Sequence, residues 1–82
     1  MSDTVYELEV CLTKNSWSDG KLIKSEKHEK TKIYTDEKEC LSVKDSMVKE
    51  SRDHGYLVCD YHFTANCYND NGSFLTINIY KR

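Results

Sequence analysis

The sequence predicts an α+β fold: one helix packed on one face of a four-stranded antiparallel sheet, in the order strand, strand, helix, strand, strand. Three observations predict it. Residues 4–13 and 56–80 alternate apolar and polar side chains with period two. Residues 36–53 repeat their apolar side chains at helical spacing. Asp19-Gly20 and Asn71-Gly72 are turn pairs that punctuate the strand-rich parts. One helix covers one face of such a sheet, giving two layers. With 82 residues the chain reads as a single domain, residues 1–82.

The first strand is TVYELEVCLT, residues 4–13. Tyr6, Leu8, Val10 and Leu12 face one way, and Val5, Glu7, Glu9, Cys11 and Thr13 face the other. Residues 15–20, NSWSDG, form a turn cluster. Trp17 within it either folds over a core edge or stands out as an anchor for a partner, a role in which tryptophan is enriched. Residues 21–34, KLIKSEKHEKTKIY, are apolar only near their ends, at Leu22, Ile23, Ile33 and Tyr34. A central strand does not tolerate so charged a middle. This is an edge strand or a protruding ribbon, broken or bulged, with lysines that discourage pairing to other chains.

The helix spans residues 36–53. Asp36 is the expected N-cap, with Glu39 three residues on, and Thr35 is an alternative cap. Acidic residues fill its first turn, Lys49 and Arg52 its last, and Gly55 ends it. Cys40, Leu41, Val43, Met47 and Val48 share an arc of roughly 160°. Lys44 falls inside that arc and is expected to snorkel along the helix to water.

Residues 56–80 read as a hairpin of two strands. Leu57, Cys59, Tyr61, Phe63, Ala65 and Cys67 form one face of the first. Leu75, Ile77 and Ile79 form the matching face of the second. A three-residue loop, Asp70-Asn71-Gly72, pairs Leu75 with Cys67, Ile77 with Ala65 and Ile79 with Phe63, all on one buried side, and a five-residue loop keeps the same parity. The expected core is Tyr6, Leu8, Val10, Leu12 and Ile33 from the first two strands; Cys40, Leu41, Met47 and Val48 from the helix; and Leu57, Cys59, Tyr61, Phe63, Leu75, Ile77 and Ile79 from the hairpin.

The four cysteines are Cys11, Cys40, Cys59 and Cys67. The N-terminus has no basic region ahead of an apolar one, no apolar run is long enough to span a membrane, and no Cys-x-x-Cys is present. A cytoplasmic protein with reduced thiols is expected. Cys59 and Cys67 on one strand would lie about 26 Å apart. Cys40, Cys59 and Cys67 are expected to be buried, and Cys11 accessible. Net charge is −2, with a basic stretch, residues 14–32, between two acidic ones.

No stretch carries a catalytic signature. His28, His54 and His62 are scattered, Cys59 and His62 point to opposite faces of a strand, and the three glycines are all turn punctuation. No enzyme, metal or cofactor is expected. The informative feature is the sheet face that a single helix leaves uncovered. By parity it carries Val5, Glu7, Glu9 and Cys11, then Tyr56, Val58, Asp60, His62, Thr64, Asn66 and Tyr68, then Phe74, Thr76, Asn78 and Tyr80. So many tyrosines suit an interface, because each offers wide contact area and a polar tip. The leading expectation is a small protein-binding module contacting its partner through Tyr56, His62, Tyr68, Phe74, Tyr80, Glu7, Glu9 and Trp17. Its narrower form is a phage or mobile-element inhibitor occupying the surface of a host factor, a form that rests on size and a lysine-rich, proline-free composition. The same face also suits a homodimer. The alternative is a nucleic-acid-binding protein using Lys24, Lys27, Lys30 and Lys32 with Tyr56, Tyr68 and Tyr80. Glu7, Glu9 and Asp60 would repel phosphates.

Overall fold

The computed structural model describes residues 3–82 and is an α+β fold of one helix and one antiparallel five-stranded sheet. The elements are β1 (Tyr6–Ser18), β2 (Lys21–Tyr34), α1 (Glu37–Asp53), β3 (Leu57–Asp60), β4 (Thr64–Tyr68) and β5 (Phe74–Lys81). The strand order is β2-β1-β5-β4-β3. The fifth strand corrects the expected four. It arises because residues 56–68 are not one strand. They fold back at His62-Phe63, so that β3 and β4 pair with each other.

β1 and β2 form a long hairpin. Asp19 and Gly20 both take positive φ, 53° and 75°, and Ser18 pairs with Lys21 across them. This is the mirror-image turn whose twist suits antiparallel strands. Residues 15–18, expected in a turn, continue β1 instead. The β1–β2 register slips once, between Ser16 and Trp17, where β2 carries the extra residue Ile23. β5 flanks β1 only as far as Thr13, so the hairpin projects beyond the sheet. The molecule measures 57 × 21 × 14 Å as a result. Its radius of gyration is 14.6 Å, against about 12 Å for a compact chain of this length.

The helix begins where expected. Asp36 accepts a hydrogen bond from the Lys38 N–H at 3.2 Å. It ends on a full Schellman turn. The Tyr56 N–H donates to the Ser51 carbonyl and the Gly55 N–H to the Arg52 carbonyl, both at 3.0 Å. Gly55 holds φ +86°, with open space where a side chain would project. Gly55→Ala is therefore expected to cost about 1 kcal/mol of stability from backbone strain alone. A urea melt showing no loss would mean that the turn does not hold the helix end.

The β4–β5 register is the expected one. Leu75 pairs with Cys67 and Ile77 with Ala65, while the Ile79 N–H donates to the Phe63 carbonyl. The Gly72 N–H donates to the Asn69 carbonyl and the Asn69 N–H to the Ser73 carbonyl, closing the three-residue loop, with Gly72 at φ +79°.

The core is Tyr6, Leu8, Tyr34, Cys40, Val48, Ala65, Ile77 and Ile79, with Val10, Leu41, Val43, Met47, Val58, Phe63 and Leu75 packed against it. Four expected core residues are exposed. Tyr34, not Ile33, shares the helix side with Tyr6, because Tyr6 pairs with Tyr34 and Ile33 opposes Glu7. Leu57 and Cys59 face away from the helix, because the reversal pairs Val58 with Cys67 and so inverts the parity of β3. Tyr61 lies at the reversal itself, exposed. Cys59 and Cys67 therefore lie on neighbouring strands, not far apart along one. All four cysteines are free, and Cys11 is half-buried.

Candidate functional site

The sheet has two faces, and the helix covers one. On the open face the register builds rows across the strands. Thr13, Phe74, Tyr68 and Leu57 form one row across β1, β5, β4 and β3. Cys11, Thr76, Asn66 and Cys59 form the next, followed by Glu9, Asn78 and Thr64, then Ile33, Glu7 and Tyr80. The face is therefore a floor of small polar side chains bounded by two apolar margins. Leu57, Tyr68 and Phe74, on adjacent strands, are 66%, 43% and 43% exposed.

Local hydrogen bonds hold these groups in place. The Tyr68 hydroxyl lies 3.2 Å from Cys59 Sγ, and this contact raises the tyrosine's pKa. The Tyr80 hydroxyl donates to Glu9 at 3.4 Å, and that carboxylate's charge raises its pKa in turn. Arg82 pairs with Glu7 at 2.9 Å and stacks 5.4 Å from the Tyr80 ring centre. Glu7 and Glu9 thus meet partners within the chain. Trp17, half-exposed on the projecting hairpin, donates its indole N–H to the Asn71 carbonyl at 2.7 Å. Asn15 Nδ2 donates to the Gly72 carbonyl at 2.8 Å. These bonds brace the hairpin against the β4–β5 loop.

Of the residues expected at a protein contact, Glu7, Glu9, Tyr68, Phe74 and Tyr80 share the open face, with Trp17 at the same parity on β1. Tyr56 does not, and neither do Val58 and Asp60, which parity had set on the same face. The chain reversal sends them to the helix side, where Tyr56 lines a groove with Met47, Glu50 and Ser51. His62 also leaves the open face. Its ring lies beside Phe63, and its Nε2 is 4.0 Å from Glu37 at the helix start. Leu57 and Ile33 join the open face unforeseen. The available signal was length: thirteen alternating residues, 56–68, exceed the usual strand of about 5–6.

The lysines of β2 are divided. Lys24, Lys30 and Lys32 lie on the helix side of the strand, and Lys27 on the open side. Lys24 pairs with Glu26 at 2.5 Å and Lys27 with Glu29 at 3.1 Å. Hydrogen bonding to those carboxylates raises the pKa of both lysines. The lysines and tyrosines expected to bind nucleic acid together are thus distributed over both faces.

Lys44 does not snorkel. Its side chain is 3% exposed. Its ammonium donates to Asp60 Oδ1 at 2.5 Å, to the Tyr61 carbonyl, and to the His62 carbonyl at 3.1 Å. It thus clasps the β3–β4 reversal to the helix. Burial raises the pKa of the Cys40 and Cys67 thiols, which keeps them protonated. Among the described residues no cluster of His, Cys, Asp and Glu could hold a metal ion, and no helix is long and apolar enough to cross a membrane. No protein family, curated relative or solved structure matches the chain.

Proposed function

We propose that the protein is a non-catalytic binding module that grips a partner protein through the open sheet face. The observation that supports this most is the exposed row Leu57, Tyr68 and Phe74 on three hydrogen-bonded strands. Aromatic side chains on a rigid backbone lose little entropy on contact, and they dominate binding energy where they are buried by a partner. The small polar floor beside the row, Thr76, Asn66, Thr64 and Asn78, lets another surface approach closely. The narrower reading, an inhibitor of phage or mobile-element origin acting on a host protein in the cytoplasm, adds composition to this geometry.

The test is a tagged capture from bacterial lysate with and without nuclease, followed by calorimetry on the purified partner. A protein retained after nuclease treatment is expected. Tyr68→Ala combined with Phe74→Ala should weaken its binding by on the order of a hundredfold or more. Lys24→Glu combined with Lys30→Glu should change it little. The reading is wrong if capture survives the aromatic pair intact, or if only nucleic acid is retained.

A further inference from the structure

Strand β2 is an edge of the sheet along its whole length, fourteen residues paired with β1 on one side only. All of them are exposed except Glu26 and Tyr34. Leu22, Ile23 and Ile33 are 50%, 65% and 52% exposed. Lysines on such an edge ordinarily deter pairing. Here they follow a pattern. Outward from His28, Lys27 mirrors Glu29, Glu26 mirrors Lys30, Ser25 mirrors Thr31, Lys24 mirrors Lys32 and Ile23 mirrors Ile33.

We propose that β2 pairs antiparallel with β2 of a second copy of this chain, centred on His28, joining two five-stranded sheets into one. A two-fold axis through His28, perpendicular to the sheet, makes the interface isologous and keeps both helices on one side. Each mirrored residue then faces its counterpart. Lys27 meets Glu29 of the second copy and Glu26 meets its Lys30, each contact occurring twice by symmetry. Cross-strand pairs of opposite charge stabilise an antiparallel ladder, and the strand edges supply main-chain hydrogen bonds. The one like-charged match, Lys24 with Lys32, lies at the periphery. Each of those lysines is already held along its own strand, Lys24 on Glu26 and Lys32 5.2 Å from the Tyr34 ring centre.

Other registers are excluded by the same side chains. A two-residue shift one way sets Glu29 against Glu29. The other way sets Lys27 against Lys27 and Lys24 against Lys30. A one-residue shift opposes residues whose main-chain groups point outward with residues whose groups are already bonded to β1, so the ladder cannot form, and it sets Glu26 against Glu29, or Lys27 against Lys30. The pairing is independent of the open-face reading, because neither Tyr68 nor Phe74 lies near this edge.

Sedimentation across micromolar to millimolar concentration tests it. The chain should dimerise. An acidic-edge variant, Lys27→Glu with Lys30→Glu, and a basic-edge variant, Glu26→Lys with Glu29→Lys, should each self-associate on the order of a hundredfold more weakly. An equal mixture of the two should recover the dimer. Far-ultraviolet circular dichroism checks that both variants fold. A monomeric parent chain overturns the proposal. So does undiminished dimerisation of each variant alone, which would move self-association to another surface, or a mixture that stays monomeric.

Discussion

Lys44→Met is expected to lower the unfolding free energy by about 2–4 kcal/mol. Methionine matches the length and volume of lysine, so packing against the sheet survives and little cavity is created. What disappears is the ammonium that Asp60, the Tyr61 carbonyl and the His62 carbonyl share. Removing one member of a buried ion pair leaves its partners desolvated, which is what makes such a substitution costly. Asp60 is 31% exposed and regains some water, so the cost falls below that of a fully enclosed pair. The converse change, Asp60→Asn, leaves Lys44 its two carbonyls and should cost less. Urea melts of both variants measure the difference. If Lys44→Met proves neutral, the clasp contributes nothing and the reversal is held by strand pairing alone.

The same residue connects stability to the proposed site. β3 has only four residues and lies at the sheet edge, paired with β4 alone. Its turn contains no glycine, proline or asparagine to favour a reversal. Lys44 supplies from the helix what the turn lacks locally. β3 carries Leu57, the outer end of the apolar row. Lys44→Met should therefore also speed amide exchange at Leu57 and Cys59, whose N–H groups face β4, more than at Ile77, a local loosening that a uniform loss of stability would not produce.

This is also where the sequence stopped being legible. Period-two alternation runs unbroken from Tyr56 to Tyr68, and alternation alone contains no marker for a reversal that uses ordinary residues. One misplaced turn then inverted the parity of Leu57, Val58, Cys59 and Asp60 together, since a slip of one residue exchanges the faces of a strand. The β4–β5 hairpin was legible because Gly72 and the apolar match of Leu75 with Cys67 agree. The helix was legible because both ends are marked by residue type, Asp36 at one end and Gly55, at φ +86°, at the other. The one local conflict, Lys44 in an apolar arc, was the visible trace of the hidden turn. A lysine aimed into a core requires acceptors, and Asp60 stands on the strand that turns to meet it. On the open face, Tyr68, Phe74 and Tyr80 were readable because they belong to strands whose register was readable. Leu57 was not.

Ile77→Ala is expected to cost about 3–4 kcal/mol, while Leu57→Ala should change stability by less than about 0.5 kcal/mol. Both leucine and isoleucine sit at apolar positions of alternating strands, and sequence pattern places both in the core. The structure separates them. Ile77 is 0% exposed, whereas Leu57 is 66% exposed. Ile77 lies on β5, the central strand, between Val10 of β1 and Ala65 of β4. Ala65 is too small to fill the space that truncation leaves, so the cavity persists and adds to the lost transfer energy. A chain of this length has a total stability of roughly 4–12 kcal/mol, so Ile77→Ala removes a large share of it. The midpoint of a urea melt should fall steeply for Ile77→Ala and barely move for Leu57→Ala. Equal losses would return Leu57 to the interior and remove the row on which the proposed interface stands. With Leu57 neutral for folding, any weakening of partner capture by Leu57→Ala is then attributable to the interface itself.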